Sequence, residues 1–127
     1  MISGEHRFHG RNSLRYVYQR GKTVRASELA LRYVYNSRCK SYRIAVVVSR
    51  KVSKSAVVRN RIRRRIYEIV RTHADAIIEP YDLIFTVYDE SAAQKSHEQL
   101  AGCVISCLNR SDVFKSRADG EQSEILA

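Results

Sequence analysis

The chain has 127 residues, 44 % of them apolar, and 23 lysines and arginines against 13 acids give it a formal net charge of +10. That length suits one domain with a real core, and the apolar share excludes a disordered basic tail. No apolar run reaches the ~20 residues of a transmembrane helix. Met1 to Arg11 also lacks the apolar stretch of a secretory signal, so a cytoplasmic protein with an anionic partner and no membrane is expected.

The elements are read in chain order. Asn12 and Ser13 can cap a short helix with Leu14, Val17 and Tyr18 on one face, and Gly21 can stop it. A short strand is placed near Val24. Leu29 to Tyr35 alternates, with Leu29, Leu31, Tyr33 and Tyr35 on one face of a half-buried strand. Asn36 to Ser41 reads as a turn, and Arg43 to Val48 as a β-branched central strand.

Charge then concentrates. Arg59 to Arg65 holds five arginines in seven residues, and from Arg50 to Arg71 nine basic residues face the single acid Glu68. Such a stretch repels itself unless a polyanion neutralises it. Arginine dominates, which favours bidentate capture of phosphate. Ser53 or Ser55 can cap the helix that follows, on which Val58, Ile62, Ile66, Ile69, Val70 and His73 share one side. At ~100° per residue, Asn60, Arg61, Arg63, Arg64, Tyr67 and Arg71 fall on the other side. Arg59 and Arg65 flank the apolar stripe, where their stems can cover the core edge.

Pro80 closes the next loop, Asp82 to Tyr88 forms another strand, and His97 to Leu108 a last amphipathic helix. Residues 1–110 are read as the domain and residues 111–127 as a flexible polar tail. The order is that of a single small α+β domain, one sheet covered by helices. A parallel connection through the basic helix would by default cross over right-handed.

Catalytic and metal signals are missing from the sequence. Cys39, Cys103 and Cys107 form neither a disulfide framework nor a CxxC pair, and Cys103 and Cys107, at i and i+4, read as small core residues. His6, His9, His73 and His97 have no ligand spacing. No phosphate-cradling glycine loop or nucleophile elbow appears. The class indicated is an RNA binder. A structural ribosome-associated RNA-binding protein would share the charge and the fold. A basic amphipathic helix for a membrane surface or a calmodulin-like groove is the other rival, but the aliphatic stripe from Val58 to Val70 lacks the Trp or Phe anchors of an interface.

Ser49-Arg50-Lys51, followed by Ala56-Val57-Val58-Arg59-Asn60-Arg61-Ile62-Arg63-Arg64, resembles the signature of the protein subunit of bacterial ribonuclease P. Arg7 and Phe8, the helix and turn from Leu14 to Lys22, and the strand Asp82 to Val87 are similar to that family too. The resemblance implies an α-β-β-β-α-β-α two-layer sandwich with a left-handed βαβ crossover, against the default above. It also implies a ribonucleoprotein endonuclease that removes the 5′ leader of precursor tRNA. In such an enzyme the catalytic RNA and its Mg²⁺ ions do the chemistry, one protein accompanies each RNA, and the protein has no catalytic residues and holds no metal. By position, Leu14, Tyr18, Arg50, Lys51 and Lys54 would bind the leader in a cleft between the sheet and the first helix. Arg59, Asn60, Arg61, Arg63 and Arg64 would bind the RNA subunit. Departures are Leu14, where members often have an aromatic; Tyr88-Asp89-Glu90, where they often have a basic residue; and Ser53, where many have glycine. Tyr16, Tyr33 and Tyr35 are the aromatics that could replace the missing ring.

Overall fold

The computed structural model describes residues 11–26, 28–38, 41–77 and 80–114. His6, Arg7, Phe8, His9, Cys39 and residues 115–127 lie outside them. The described chain runs α1 (Arg11–Arg20), β1 (Lys22–Arg25), β2 (Leu29–Tyr35), β3 (Arg43–Val48), α2 (Ala56–Thr72), β4 (Tyr81–Val87) and α3 (His97–Arg110). Short 3-10 turns sit at Ala74–Ala76 and Glu90–Gln94. The expected element order holds throughout.

The four strands form one mixed sheet in the order β1-β2-β4-β3. β1 with β2 and β2 with β4 are antiparallel, while β3 and β4 run parallel with α2 as their crossover. The β-branched run of β3, read from the sequence as central, therefore occupies an edge. Its Ile44, Val46 and Val48 are buried, whereas Val47 on the opposite face is exposed. An apolar run reports burial of side chains, and a covering helix supplies that at an edge as well as at the centre.

Strand alternation separates two faces. On one, Leu31, Ile44 and Phe85 of the sheet pack against Ile62, Ile66 and Ile69 of α2 and Leu100 and Val104 of α3. This closed face is the main core. On the other, α1 lays Val17 and Leu14 over Ala45, Ile84 and Val34 in a much smaller cluster. Ile66, Phe85 and Leu100 are each fully buried, and truncating such a side chain costs about 2–5 kcal/mol.

Helix ends follow their local chemistry. Asn12 and Ser13, expected as caps, fall inside the first turn of α1, where backbone amides lack helical partners and short polar residues are tolerated. Gly21 ends α1 as expected, its N–H donating to Val17 O at 2.7 Å. A Cβ there would stand 2.5 Å from Val17 O and 3.0 Å from Tyr33 O, so the position needs glycine for close approach of two backbones. α3 begins with a capping box. Gln99 N–H donates to Ser96 Oγ at 3.2 Å, and Ser96 N–H donates to Gln99 Oε1 at 3.0 Å.

The packed chain continues past Arg110, where the sequence places the start of the tail. Ser111 and Val113 are buried, and Phe114 packs against the core. Ser111 Oγ donates to Leu108 O and accepts from Val113 N–H, a local turn that folds Val113 back under the sheet.

Candidate nucleic-acid interface

Ser55 caps α2, accepting from Val58 N–H at 3.4 Å, and Ser53 instead accepts from Ser55 N–H. Upstream, Ser49 Oγ accepts from Lys51 N–H and Ser49 O from Val52 N–H. Val52 is buried. A buried anchor inside a bonded turn thus holds the loop while Arg50, Lys51 and Lys54 stay exposed. Charge is displayed from a fixed backbone.

Along α2, Ile62, Ile66, Ile69 and Val70 are buried, and Asn60, Arg61 and Arg64 point outward. Arg63 is half-buried and donates to Asn60 Oδ1. Arg59, also half-buried, donates to Ser53 O at 2.9 Å and so ties the helix to the loop. Arg65 donates to Lys95 O at 2.8 Å, bridging α2 to the segment before α3. Burial, and then the like charge of Arg61, push the Arg65 guanidinium below its usual pKa. Two residues differ from their expected places. Tyr67 packs against the core edge instead of facing outward, because its ring covers apolar surface that a short side chain would leave wet. His73 closes the helix, its Nδ1 2.9 Å from Ile69 O.

With Ile62, Ile66, Ile69 and Val70 inside the domain, α2 lacks the exposed apolar stripe that a membrane-surface helix or a groove-binding helix presents. Among the described residues, no helix is long and apolar enough to cross a membrane.

Among the described residues, the open face of the sheet is only partly covered. Cross-strand register lines up Thr23, Arg32, Ile84 and Ala45 in one row and Arg25, Ala30, Thr86 and Val47 in the next. α1 covers the first row through Leu14 and Val17. The second is a shallow strip floored by the small side chains Ala30 and Thr86. Tyr18 on α1 is 45 % exposed, with the Arg32 guanidinium 5.9 Å from its ring centroid. Tyr16 is exposed on α1. Tyr33 and Tyr35 belong to the closed face, where each meets Tyr81 edge-on. They cannot replace a ring missing from the open face.

The structure keeps the site residues in three places. Leu14 and Tyr18 lie on α1 at the open face, and Arg50, Lys51 and Lys54 occupy the loop at the end of β3. Arg59, Asn60, Arg61, Arg63 and Arg64 share α2. Sequence reasoning missed Arg32, which clamps the end of α1: its Nε donates to Val17 O at 3.1 Å, Nη1 to Thr23 Oγ1 at 2.8 Å, and Nη2 to Tyr18 O. A lone arginine in an apolar alternating strand was the available signal. Also missed was Asp82, 1 % exposed, which accepts from Arg43 Nε at 2.9 Å, Arg43 Nη2 at 2.8 Å and Asn36 Nδ2 at 2.8 Å. That pairing commits Arg43 to the fold and leaves the free cations to the loop and the helix.

A mixed sheet with one face closed by two helices, a half-open face, and an arginine-lined helix define a small α+β RNA-binding domain. The Ribonuclease P family model matches residues 2–112. A ribonuclease P protein component of Clostridium botulinum is 32 % identical over 111 residues, covering 87 % of this chain and 97 % of the relative. One from Clostridium kluyveri is 37 % identical over 103 residues, 80 % of this chain and 89 % of the relative. The chain belongs to the ribonuclease P protein family. The fold agrees: the Staphylococcus aureus RNase P protein superposes with a TM-score of 0.79 at 24 % identity, covering 87 % of this chain and 98 % of that one. The Thermotoga maritima protein gives 0.73 at 19 %, over 83 % and 96 %.

Proposed function

We propose that this chain is the RNA-binding protein subunit of a ribonuclease P, assisting a catalytic RNA in endonucleolytic removal of the 5′ leader from precursor tRNA. The observation that carries the reading is the division of α2. Its aliphatic side is locked into the core, so its arginine side is held rigidly outward as a phosphate-binding surface. Arg59, Asn60, Arg61, Arg63 and Arg64 contact the RNA subunit, reading phosphates and shape with no base code. Leu14, Tyr18, Arg50, Lys51 and Lys54 hold the single-stranded leader. Tyr18 supplies a stacking face, the loop cations neutralise phosphates, and Leu14 forms an apolar wall.

The chemistry is assigned to the RNA subunit, whose bound Mg²⁺ would supply activation of water and stabilisation of the leaving oxygen. In this reading the protein's part is binding and positioning. One protein accompanies each catalytic RNA. The test is reconstitution of precursor-tRNA cleavage with a bacterial ribonuclease P RNA at low Mg²⁺. The protein should restore leader removal that the RNA alone performs poorly, and protein stripped of RNA should cleave nothing. A protein that leaves the RNA's rate and its Mg²⁺ requirement unchanged would sink the reading.

A further inference from the structure

Past the end of β4 the ladder to β2 continues for one more bond, Tyr88 N–H donating to Glu28 O at 3.1 Å. Alternation from Ile84 and Thr86 puts the Tyr88 side chain on the open face, next to the uncovered strip. Its hydroxyl donates to Ala26 O, at the turn between β1 and β2. A tyrosine standing upright on a sheet points its hydroxyl into solvent. Reaching a main-chain carbonyl at that turn leans the ring over the end of the neighbouring strand, and Tyr88 is 40 % exposed.

The surroundings select a ligand. Arg25, exposed, shares the open face and the turn with the Tyr88 hydroxyl. A partly exposed aromatic ring tethered through its hydroxyl, with a cation beside it, fits one unpaired nucleotide, base on the ring and phosphate toward Arg25.

We propose that Tyr88, with Arg25 beside it, is a stacking platform for one nucleotide of the RNA leader, taking over the ring that Leu14 does not provide. The site rests on the leader reading above. It is tested in holoenzyme reconstituted with a bacterial ribonuclease P RNA, by the affinities for precursor and mature tRNA. Tyr88→Leu should weaken precursor-tRNA binding about tenfold, the scale of one lost base stack, and leave mature tRNA unchanged. Tyr88→Phe, which keeps the ring, should stay within about twofold of wild type. Arg25→Gln should lower the salt slope of precursor-tRNA binding by about 1. A Tyr88→Trp holoenzyme gives a reading independent of stability: its emission should be quenched by precursor but not by mature tRNA. Wild-type affinity in Tyr88→Leu, equal losses for both tRNAs, or an unquenched Trp would each overturn the platform while the leader reading stood. A wild-type holoenzyme with no preference for precursor tRNA would overturn both.

Discussion

The two faces of the sheet are made from the same strands and do opposite work. The closed face packs long aliphatic side chains of α2 and α3 against Ile44, Phe85 and their neighbours in one large buried cluster. The open face has one helix of ten residues, whose Val17 covers Ala45 and Ile84, and leaves Tyr18, Val47 and Tyr88 partly exposed. The main burial therefore lies on one side, and the other keeps exposed surface. A surface of small, polar and aromatic groups can stay open because the opposite layer already supplies the burial that folding requires.

The largest expected effect breaks the closed face. Ile66→Ala should cost about 2–5 kcal/mol in urea or thermal unfolding, and the salt slope of RNA binding by the folded fraction should not move. A loss near zero would mean that α2 is not the keystone of that layer. Gly21→Ala tests the joint between α1 and the sheet. Its new methyl meets two backbone carbonyls that cannot rotate away, so a loss of about 1–3 kcal/mol is expected, together with weaker binding of precursor tRNA as Tyr18 shifts.

Tyr18→Ala should act on the open face alone, with a loss of about 1–3 kcal/mol for precursor tRNA, little change for mature tRNA and an unchanged melting temperature. An equal loss for both tRNAs would make Tyr18 a packing residue. Arg64→Ala should be nearly silent in melting curves and should lower the log–log salt slope of binding to the RNA subunit by about 1. An unchanged slope with an unfolded domain would place Arg64 inward.

The smallest effect concerns α3. Burial pushes the thiol of Cys107 above its ordinary pKa, and burial followed by the hydrogen bond to Glu28 does the same for Cys103. Alkylation at pH 8, followed by peptide mapping, should be slower at Cys107 than at a free cysteine. The rate should rise as the pH climbs, because only the thiolate reacts. Fast labelling of Cys107 in folded protein would show that α3 opens.

Much of this was legible in the residues. The alternation in Leu29 to Tyr35 gave β2 its bounds, and the spacing of Ile62, Ile66 and Ile69 told the inner side of α2 from its arginine side. Both are local periodicities that a single chain segment must display to bury one face. Harder to see were the roles set by contacts distant in sequence. Arg32 and Arg43 look alike as strand arginines. One clamps the end of α1 and the other is consumed by Asp82, 39 residues away. The core limit at Arg110 was misjudged because Ser111 is polar in sequence and buried by a turn.

The sequence by itself determined the element order, the apolar and cationic sides of α2, and membership of the family through the motif from Ser49 to Arg64, since each rests on neighbours within a few turns of chain. Only the tertiary structure decided that β3 lies at an edge, that Tyr33 and Tyr35 face the core, and that Tyr18 and Tyr88 lie on the open face. The side of a sheet that a helix covers depends on where the chain returns after its crossovers. No local periodicity encodes that path.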